Sequence, residues 1–181
     1  MSRDFKKEKI LIIDFGSQVT KLIARRVREF GVYTEVVSFN EIEKIKNLNY
    51  TKGIILSGGP STVTKKLFPN ITHFLFNSNI PILGICYGLQ LIAVNFGGKV
   101  KSVNKKREFG RSQLQETRKS ELTKNFFKKK INNVWMSHED SVYKIPKGFK
   151  KIASTKNSQF TAIENKQKKI YGIQFHPEVT H

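Results

Sequence analysis

The chain has 181 residues, 38% of them hydrophobic and 14 of them phenylalanine, enough apolar mass for one domain with a substantial core. No apolar run is long enough to span a bilayer and the charged N-terminus (Met1-Ser-Arg-Asp-Phe-Lys-Lys-Glu-Lys) has no secretory segment, while a single cysteine excludes an intramolecular disulfide, so the expected setting is a reducing cytoplasm. The formal charge of +19 raises nucleic acid as a partner, but the cations are mostly lysines scattered in groups such as Lys65-Lys66, Lys105-Lys106 and Lys128-Lys129-Lys130, without RNA-binding aromatics or a base-reading helix, and they read as solvated faces or as attraction for an acidic partner.

In chain order, Lys9–Asp14 is short and almost wholly apolar, as a strand buried on both faces is. Ser17 can cap the helix that follows, whose apolar positions Val19, Leu22, Ile23, Val27 and Phe30 keep helical spacing until Gly31 ends it. Tyr33–Ser38 predicts a second strand, residues 41–47 a weak helix, 53–57 a third, buried strand, 66–77 a helix and 80–85 the fourth strand. After Gly88, residues 89–96 predict an apolar helix stopped by Gly97-Gly98. This alternation predicts an α/β domain, an open, mostly parallel, flavodoxin-like sheet flanked by helices on both faces. From about residue 99 the pattern shifts, and residues 111–117, 133–136, 151–155, 160–164 and 169–175 read as extra, antiparallel strands. Nothing divides the chain, so residues 1–181 are expected to form one domain. An open sheet that ends three residues after Glu178 reads as a piece of a longer protein.

Four strings carry candidate chemistry. In Pro81-Ile-Leu-Gly84-Ile-Cys86-Tyr87-Gly88-Leu-Gln90 an apolar run ends in Gly-x-Cys-x-Gly and a helix begins at once, which presents a nucleophile at a sharp strand-to-helix turn. The flanking glycines are expected to take strained dihedrals, and the helix N-terminus to favour thiolate; a lone cysteine equally reads as an inert core residue. Ser57-Gly58-Gly59-Pro60 offers backbone N–H groups to an oxyanion, or is simply a turn. In Gln174-Phe175-His176-Pro177-Glu178, extended spacing puts His176 and Glu178 on one side, a carboxylate orienting an imidazole, although the same residues suit a solvated loop. Trp135-Met136-Ser137-His138-Glu139-Asp140 suits a small zwitterion, or caps a turn. No metal is expected, because His73, His138, His176 and His181 lack paired ligand spacing, and no phosphate-binding fingerprint indicates a nucleotide. Together the strings supply a nucleophile, a base, its orienter and oxyanion donors at the carboxyl ends of strands.

On these residues the chain resembles, over essentially its whole length, the class I (triad) glutamine amidotransferases. The resemblance is carried by Ile13-Asp14-Phe15-Gly16-Ser17-Gln18, Leu56-Ser-Gly-Gly-Pro-Ser-Thr62, Gly84-Ile-Cys-Tyr-Gly-Leu-Gln90, Arg107-Glu-Phe-Gly110, Val134-Trp-Met-Ser-His138 and Gly172-Ile-Gln-Phe-His-Pro-Glu-Val-Thr-His181. Asp-Phe-Gly-Ser-Gln, Arg-Glu-Phe-Gly and Trp-Met-Ser-His narrow it to the amidotransferase domains of GMP synthases. The resemblance implies L-glutamine as substrate, Cys86 as nucleophile, His176 as acid and base, Glu178 as its orienter, and the backbone N–H groups of Gly59 and Tyr87 as the oxyanion hole. It implies glutamine binding by Gly58, Gly59, Gln90, Ser137, Glu139 and Asp140. It further implies no cofactor in this chain: ATP and Mg2+ would belong to a GMP synthetase domain or subunit, not found in this chain, that receives the ammonia. Neither nucleic acid nor a membrane is an expected partner. In one departure, Glu139 stands where the family carries glycine, which would strain the backbone if that position has positive φ and would set a carboxylate against the substrate's own. Two other readings fit the residues: a γ-glutamyl hydrolase or other Cys-elbow hydrolase, and a non-catalytic basic binding or regulatory module on the same fold.

Overall fold

The structure, a computed structural model of the chain, describes residues 8–45, 47–71, 73–102, 107–127 and 131–179. The first seven residues, Lys105-Lys106, Lys128-Lys129-Lys130 and the last two residues of the Gly172 string lie outside them. The strands are β1 (Lys9–Asp14), β2 (Tyr33–Ser38), β3 (Thr51–Leu56), β4 (Ile82–Ile85), β5 (Lys99–Ser102), β6 (Glu108–Glu116), β7 (Ile131–His138), β8 (Asp140–Lys144), β9 (Lys150–Ser154), β10 (Ala162–Asn165) and β11 (Ile170–Ile173). The helices are α1 (Thr20–Glu29), α2 (His73–Phe76) and α3 (Tyr87–Asn95).

A 9-stranded sheet runs β2-β1-β3-β4-β11-β10-β9-β6-β7. It is parallel from β2 to β11 and antiparallel from β11 to β7, as the change of pattern near residue 99 foretells. The parallel strands are buried because both faces are covered. On one face, Ile23 and Ala24 of α1 pack over Ile12, in a core that continues through Ile85, Ile173, Met136 and Ile152. On the other, Leu89, Ile92 and Ala93 of α3 pack on Leu11, Ile54, Leu56 and Ile82. Tyr87 through Ala93 are all buried, because α3 lies between β3, β4 and β11 on one side and a separate antiparallel pair, β5–β8, on the other. A helix that is apolar all round needs such enclosure.

The close seating of α3 is written in glycines. Gly84 of β4 and Gly172 of β11 face each other in the parallel register. A Cβ at Gly84 would lie 2.4 Å from the Gly88 carbonyl carbon, one at Gly172 2.5 Å from a Leu89 methyl, and one at Gly88 2.3 Å from the Leu56 carbonyl oxygen. This corrects the expectation that the glycines flanking Cys86 relieve strained dihedrals: neither Gly84 nor Gly88 has positive φ, and both are needed for backbone to meet backbone.

Three other expectations change. The helix expected over 66–77 is described only as α2, His73–Phe76; Pro69 lacks an N–H and pushes Phe68 out of helical conformation, so the residues before it form turns. The weak helix over 41–47 is a 3-10 turn at Phe39–Lys44, capped by the Ser38 hydroxyl. Ser17 accepts from the Val19 N–H at 3.2 Å, one residue ahead of the first turn of α1, and Gly31, at φ 75°, ends that helix as expected. The pair β5–β8 is a further addition: its lysines and serines carry too little apolar alternation to be read as strands.

Gly88→Ala tests the seating of α3. The added methyl meets backbone, which cannot move aside, so the variant should lose about 3 kcal/mol. Thermal unfolding should then show a melting temperature lower by roughly 6–12 °C; an unchanged melting temperature would mean that the contact does not govern the packing.

Candidate active site

β4 and β11 end side by side, and the next residues of each meet. Cys86 follows β4 directly and is the N-cap of α3, with φ 53° and ψ −103°. That conformation costs a non-glycine residue on the order of 1–3 kcal/mol. It is locked because the Cys86 N–H donates to the Ile173 carbonyl of β11 (2.8 Å) and the Cys86 carbonyl accepts the Gln90 N–H of α3 (3.2 Å). The strain therefore lies on the cysteine itself, which lifts its sulfur to the mouth of the helix.

His176 and Glu178 stand just past β11. The imidazole Nδ1 lies 2.7 Å from Glu178 Oε1, and both side chains are buried, at 7% and 3% exposure. The Arg26 guanidinium of α1 donates to the Glu178 carbonyl at 3.3 Å, tying the carboxylate segment to that helix. Burial opposes a charge on the His176 ring, but hydrogen bonds and negative charge from Cys86 and Glu178 outweigh it and push its pKa up from 6.5 to about 10.

The loop after β3 closes the third side. A Cβ at Gly58 would sit 3.3 Å from His176 Cε1 and 3.7 Å from Cys86 Cβ, and one at Gly59 would sit 2.7 Å from the Phe15 carbonyl oxygen. The Ser57 hydroxyl ties this loop to the one after β1, accepting the Phe15 N–H (3.1 Å) and donating to the Gly58 carbonyl (2.8 Å). Tyr87, the first residue of α3, has one of the N–H groups that a helix start leaves without an intrahelical partner. Gly59 and Tyr87 line the same cleft as Cys86.

The fourth side comes from the antiparallel arm. β7 is four places from β11 in the sheet, yet the His176 N–H donates to the Trp135 carbonyl (2.9 Å), and the Ser137 carbonyl lies 3.6 Å from the Cys86 sulfur. The arm bends back over the carboxyl ends of the parallel strands. Between its β7–β8 turn and the loop after β3 opens a cleft of about 540 Å3, lined by Gly59, Cys86, Gln90, Ser137, Glu139 and Asp140 among others. A second cleft of about 400 Å3, walled by Gly16 and Ser17, reaches Cys86 from the α1 side.

Of the expected glutamine ligands, Gly58 packs against His176 and Cys86 and the others line the larger cleft. Gln90 is buried and its Nε2 donates to the Asp140 carbonyl at 3.0 Å, so it braces the wall. Asp140 accepts a hydrogen bond from the Thr62 hydroxyl. Glu139 is not in a left-handed conformation, so the strain expected from replacing glycine does not arise. Its carboxylate pairs with the Arg107 guanidinium at 3.1 Å, a half-exposed contact of little energetic weight that nonetheless answers its charge at the rim.

Sequence reasoning gave Glu108 and Gln174 no role, and counted the His138 imidazole among groups suited to a small zwitterion without seeing what holds it. His138 stands behind the turn, held through both ring nitrogens, Nδ1 to the Asp140 carbonyl (3.0 Å) and Nε2 to Glu108 (3.1 Å), with both side chains buried. No spacing in the sequence links Glu108 to His138; their register in β6 and β7 does. Gln174 donates from Nε2 to the Cys86 sulfur at 3.5 Å. Its only signal was its place in the Gln174–Glu178 string; β11 stops at Ile173, so strand alternation does not describe these residues.

The profile of the class-I glutamine amidotransferase family matches residues 11–181. The GMP synthase (glutamine-hydrolysing) of Brachyspira hyodysenteriae is 52% identical over 175 residues, covering 96% of this chain and 33% of that protein. The chain thus spans about a third of the length of the curated relatives it matches. A solved structure from Thermoplasma acidophilum, described as a GMP synthase subunit, has TM-score 0.77 at 32% identity and covers 97% of this chain and 86% of that one. A glutamine amidotransferase from Thermotoga maritima shares the fold, with TM-score 0.79 at 21% identity, covering 94% of this chain and 76% of that one.

The raised pKa of His176 makes two measurable statements. The folded chain holds a proton that the unfolded chain releases above 6.5, so this stabilisation is complete below about pH 6.5 and is lost as pH rises through about 10. Melting temperature should fall across that window. In Cys86→Ala the sulfur's contribution disappears while burial remains, so the His176 midpoint, followed by proton NMR of the imidazole, should move down; an unmoved midpoint would remove Cys86 as its partner.

Proposed function

The chain belongs to the class-I glutamine amidotransferases, and from that premise we propose that it is the glutaminase unit of GMP synthesis, hydrolysing the side-chain amide of L-glutamine at Cys86. The observation that carries the reading is the strained, locked Cys86 at the head of α3, with the His176–Glu178 pair beside it and a cleft in front with ample room for an amino acid.

Cys86 passes its thiol proton to His176 and its sulfur attacks the amide carbon of glutamine, the carbonyl electrons moving onto oxygen. The N–H groups of Gly59 and Tyr87 hold that oxyanion, each donor worth roughly 3–4 kcal/mol of barrier. Collapse reforms the carbonyl and breaks the C–N bond, His176 delivering the proton with which ammonia leaves. A γ-glutamyl thioester remains on Cys86. Water, deprotonated by His176, attacks it, and glutamate departs as the sulfur recovers its proton. Glu178 keeps the His176 ring oriented throughout and stabilises its charged form. Ser137, Glu139 and Asp140 would receive the α-ammonium and α-carboxylate of the substrate, with Gly58, Gly59 and Gln90 supporting the wall.

Ammonia would pass to an ATP- and Mg2+-dependent synthetase domain or subunit that aminates xanthosine monophosphate. The 52% identity to a GMP synthase over a stretch covering 96% of the chain supports this assignment over other uses of glutamine nitrogen. Among the described residues no helix is long and apolar enough to cross a membrane.

The test is glutamate release from L-glutamine, with and without a GMP synthetase domain, ATP and xanthosine monophosphate. Cys86→Ala should lower the rate on the order of 10^4-fold or more. Absence of Cys86-dependent release even with the synthetase present would overturn the reading, and a preference for γ-glutamyl peptides over glutamine would redirect it to a hydrolase.

A further inference from the structure

Gln174 is wholly buried, with 0% exposure, in the short step between β11 and His176. Its backbone N–H donates to the Thr161 carbonyl at 2.8 Å, which fixes where its side chain begins. The side-chain Nε2 reaches the Cys86 sulfur at 3.5 Å, while Oε1 is buried without a hydrogen-bond partner. A buried amide retained for architecture has both ends bonded. Here one end is left empty and the other is spent on a sulfur atom.

The surroundings of that sulfur give the contact its meaning. The Ser137 carbonyl, 3.6 Å away, accepts the S–H of the thiol and repels the thiolate. An N–H donor works in the opposite sense: its bond strengthens when the acceptor becomes an anion, so it favours the charged form. Since no water reaches a wholly buried amide, the donor stays aimed at the sulfur through the reaction. It also leaves the cleft free, because the substrate cleft is lined by Cys86 and not by Gln174. The titratable and charged groups around the sulfur are His176 with Glu178 behind it, Tyr87 beside it, and Lys65, His138, Glu139 and Asp140 around the cleft.

We propose that Gln174 is a further catalytic residue: its side-chain N–H holds the Cys86 sulfur as a thiolate, setting the fraction of the enzyme ready to attack. The proposal rests on Cys86 being the nucleophile. When the thiol proton moves to His176, the Ser137 contact turns unfavourable and the Gln174 bond becomes charge-assisted, so the two neighbours set the equilibrium in opposition.

Cys86 is the chain's only cysteine, so alkylation of the full chain by iodoacetamide reports on this sulfur alone. Gln174→Met keeps the volume and removes the donor. Its alkylation midpoint should rise by about one pH unit, a tenfold smaller thiolate fraction below the midpoint, and kcat for glutamate release should fall with KM little changed. Gln174→Glu, which sets a carboxylate against the sulfur, should raise the midpoint further. An alkylation midpoint equal to that of the unmodified chain, in a Gln174→Met protein with unchanged melting temperature, would overturn the proposal. Should neither variant fold, the unmodified chain still decides: the Gln174 side-chain amide resonances should shift as the sulfur ionises and stop shifting in Cys86→Ala. Resonances indifferent to the sulfur would overturn it. Alkylation and NMR need no turnover, so failure here is distinct from failure to release glutamate.

Discussion

The close approach of α3 to β4 and β11 is the constraint on which the rest depends. Gly84, Gly88 and Gly172 remove the side chains that would separate them, so a helix rests on two strands at backbone distance. Because it sits so low, the turn into it must be abrupt, and the one residue in that turn takes the positive φ. The same descent makes room for β5–β8 above α3, which encloses a helix too apolar to face water. Raising α3 by the width of a methyl would tilt Cys86, loosen its bond to Ile173 and open the layer above it. Fold and reactive residue share one packing condition.

The two halves of the sheet divide the work of building the site. On the proposed function the parallel half supplies what would react, Cys86 after β4, His176 and Glu178 after β11, and Gly58-Gly59 after β3. The antiparallel half supplies what surrounds it, through an arm that bends back until the Trp135 and Ser137 carbonyls reach residues of the parallel half. His138, bonded at both nitrogens, stiffens the end of that arm. Charge is arranged locally within a chain of +19 overall: Glu178 faces His176, Glu108 faces His138 and Glu139 faces Arg107.

Much of this was legible in the sequence because it depends on local pattern. Apolar runs between turn residues placed the parallel strands, and alternation with helical periodicity gave the order of layers. The pairing of Glu178 with His176 was foreseen, but through an extended segment, whereas β11 stops at Ile173 and a turn at Pro177-Glu178, closed by the Val179 N–H on the His176 carbonyl, brings them together. What was not legible depends on contacts between distant segments. Pro69 shortened a helix that apolar spacing alone supported. The glycines around Cys86 were correctly singled out for the wrong reason, since a sequence does not reveal whether a missing side chain serves a dihedral or a neighbour. The fold around Glu139, and the partnership of Gln174 with a sulfur reached from another strand, needed three dimensions.

The bent arm touches the reactive centre through main-chain carbonyls, whose chemistry is the same whichever side chain the residue bears. At Ser137 the carbonyl faces the sulfur while the side chain is exposed at the cleft, so under the proposed function one residue would serve reactivity with its backbone and recognition with its substituent. Variation along this wall is therefore decoupled from the nucleophile. The Glu139 found here is an instance: a residue foreign to the usual pattern, accommodated at the rim by Arg107, with the apparatus around Cys86 undisturbed. Such an arrangement gives the fold evolvability, since its selectivity can drift under mutation while its reactivity stays anchored in atoms that mutation does not replace.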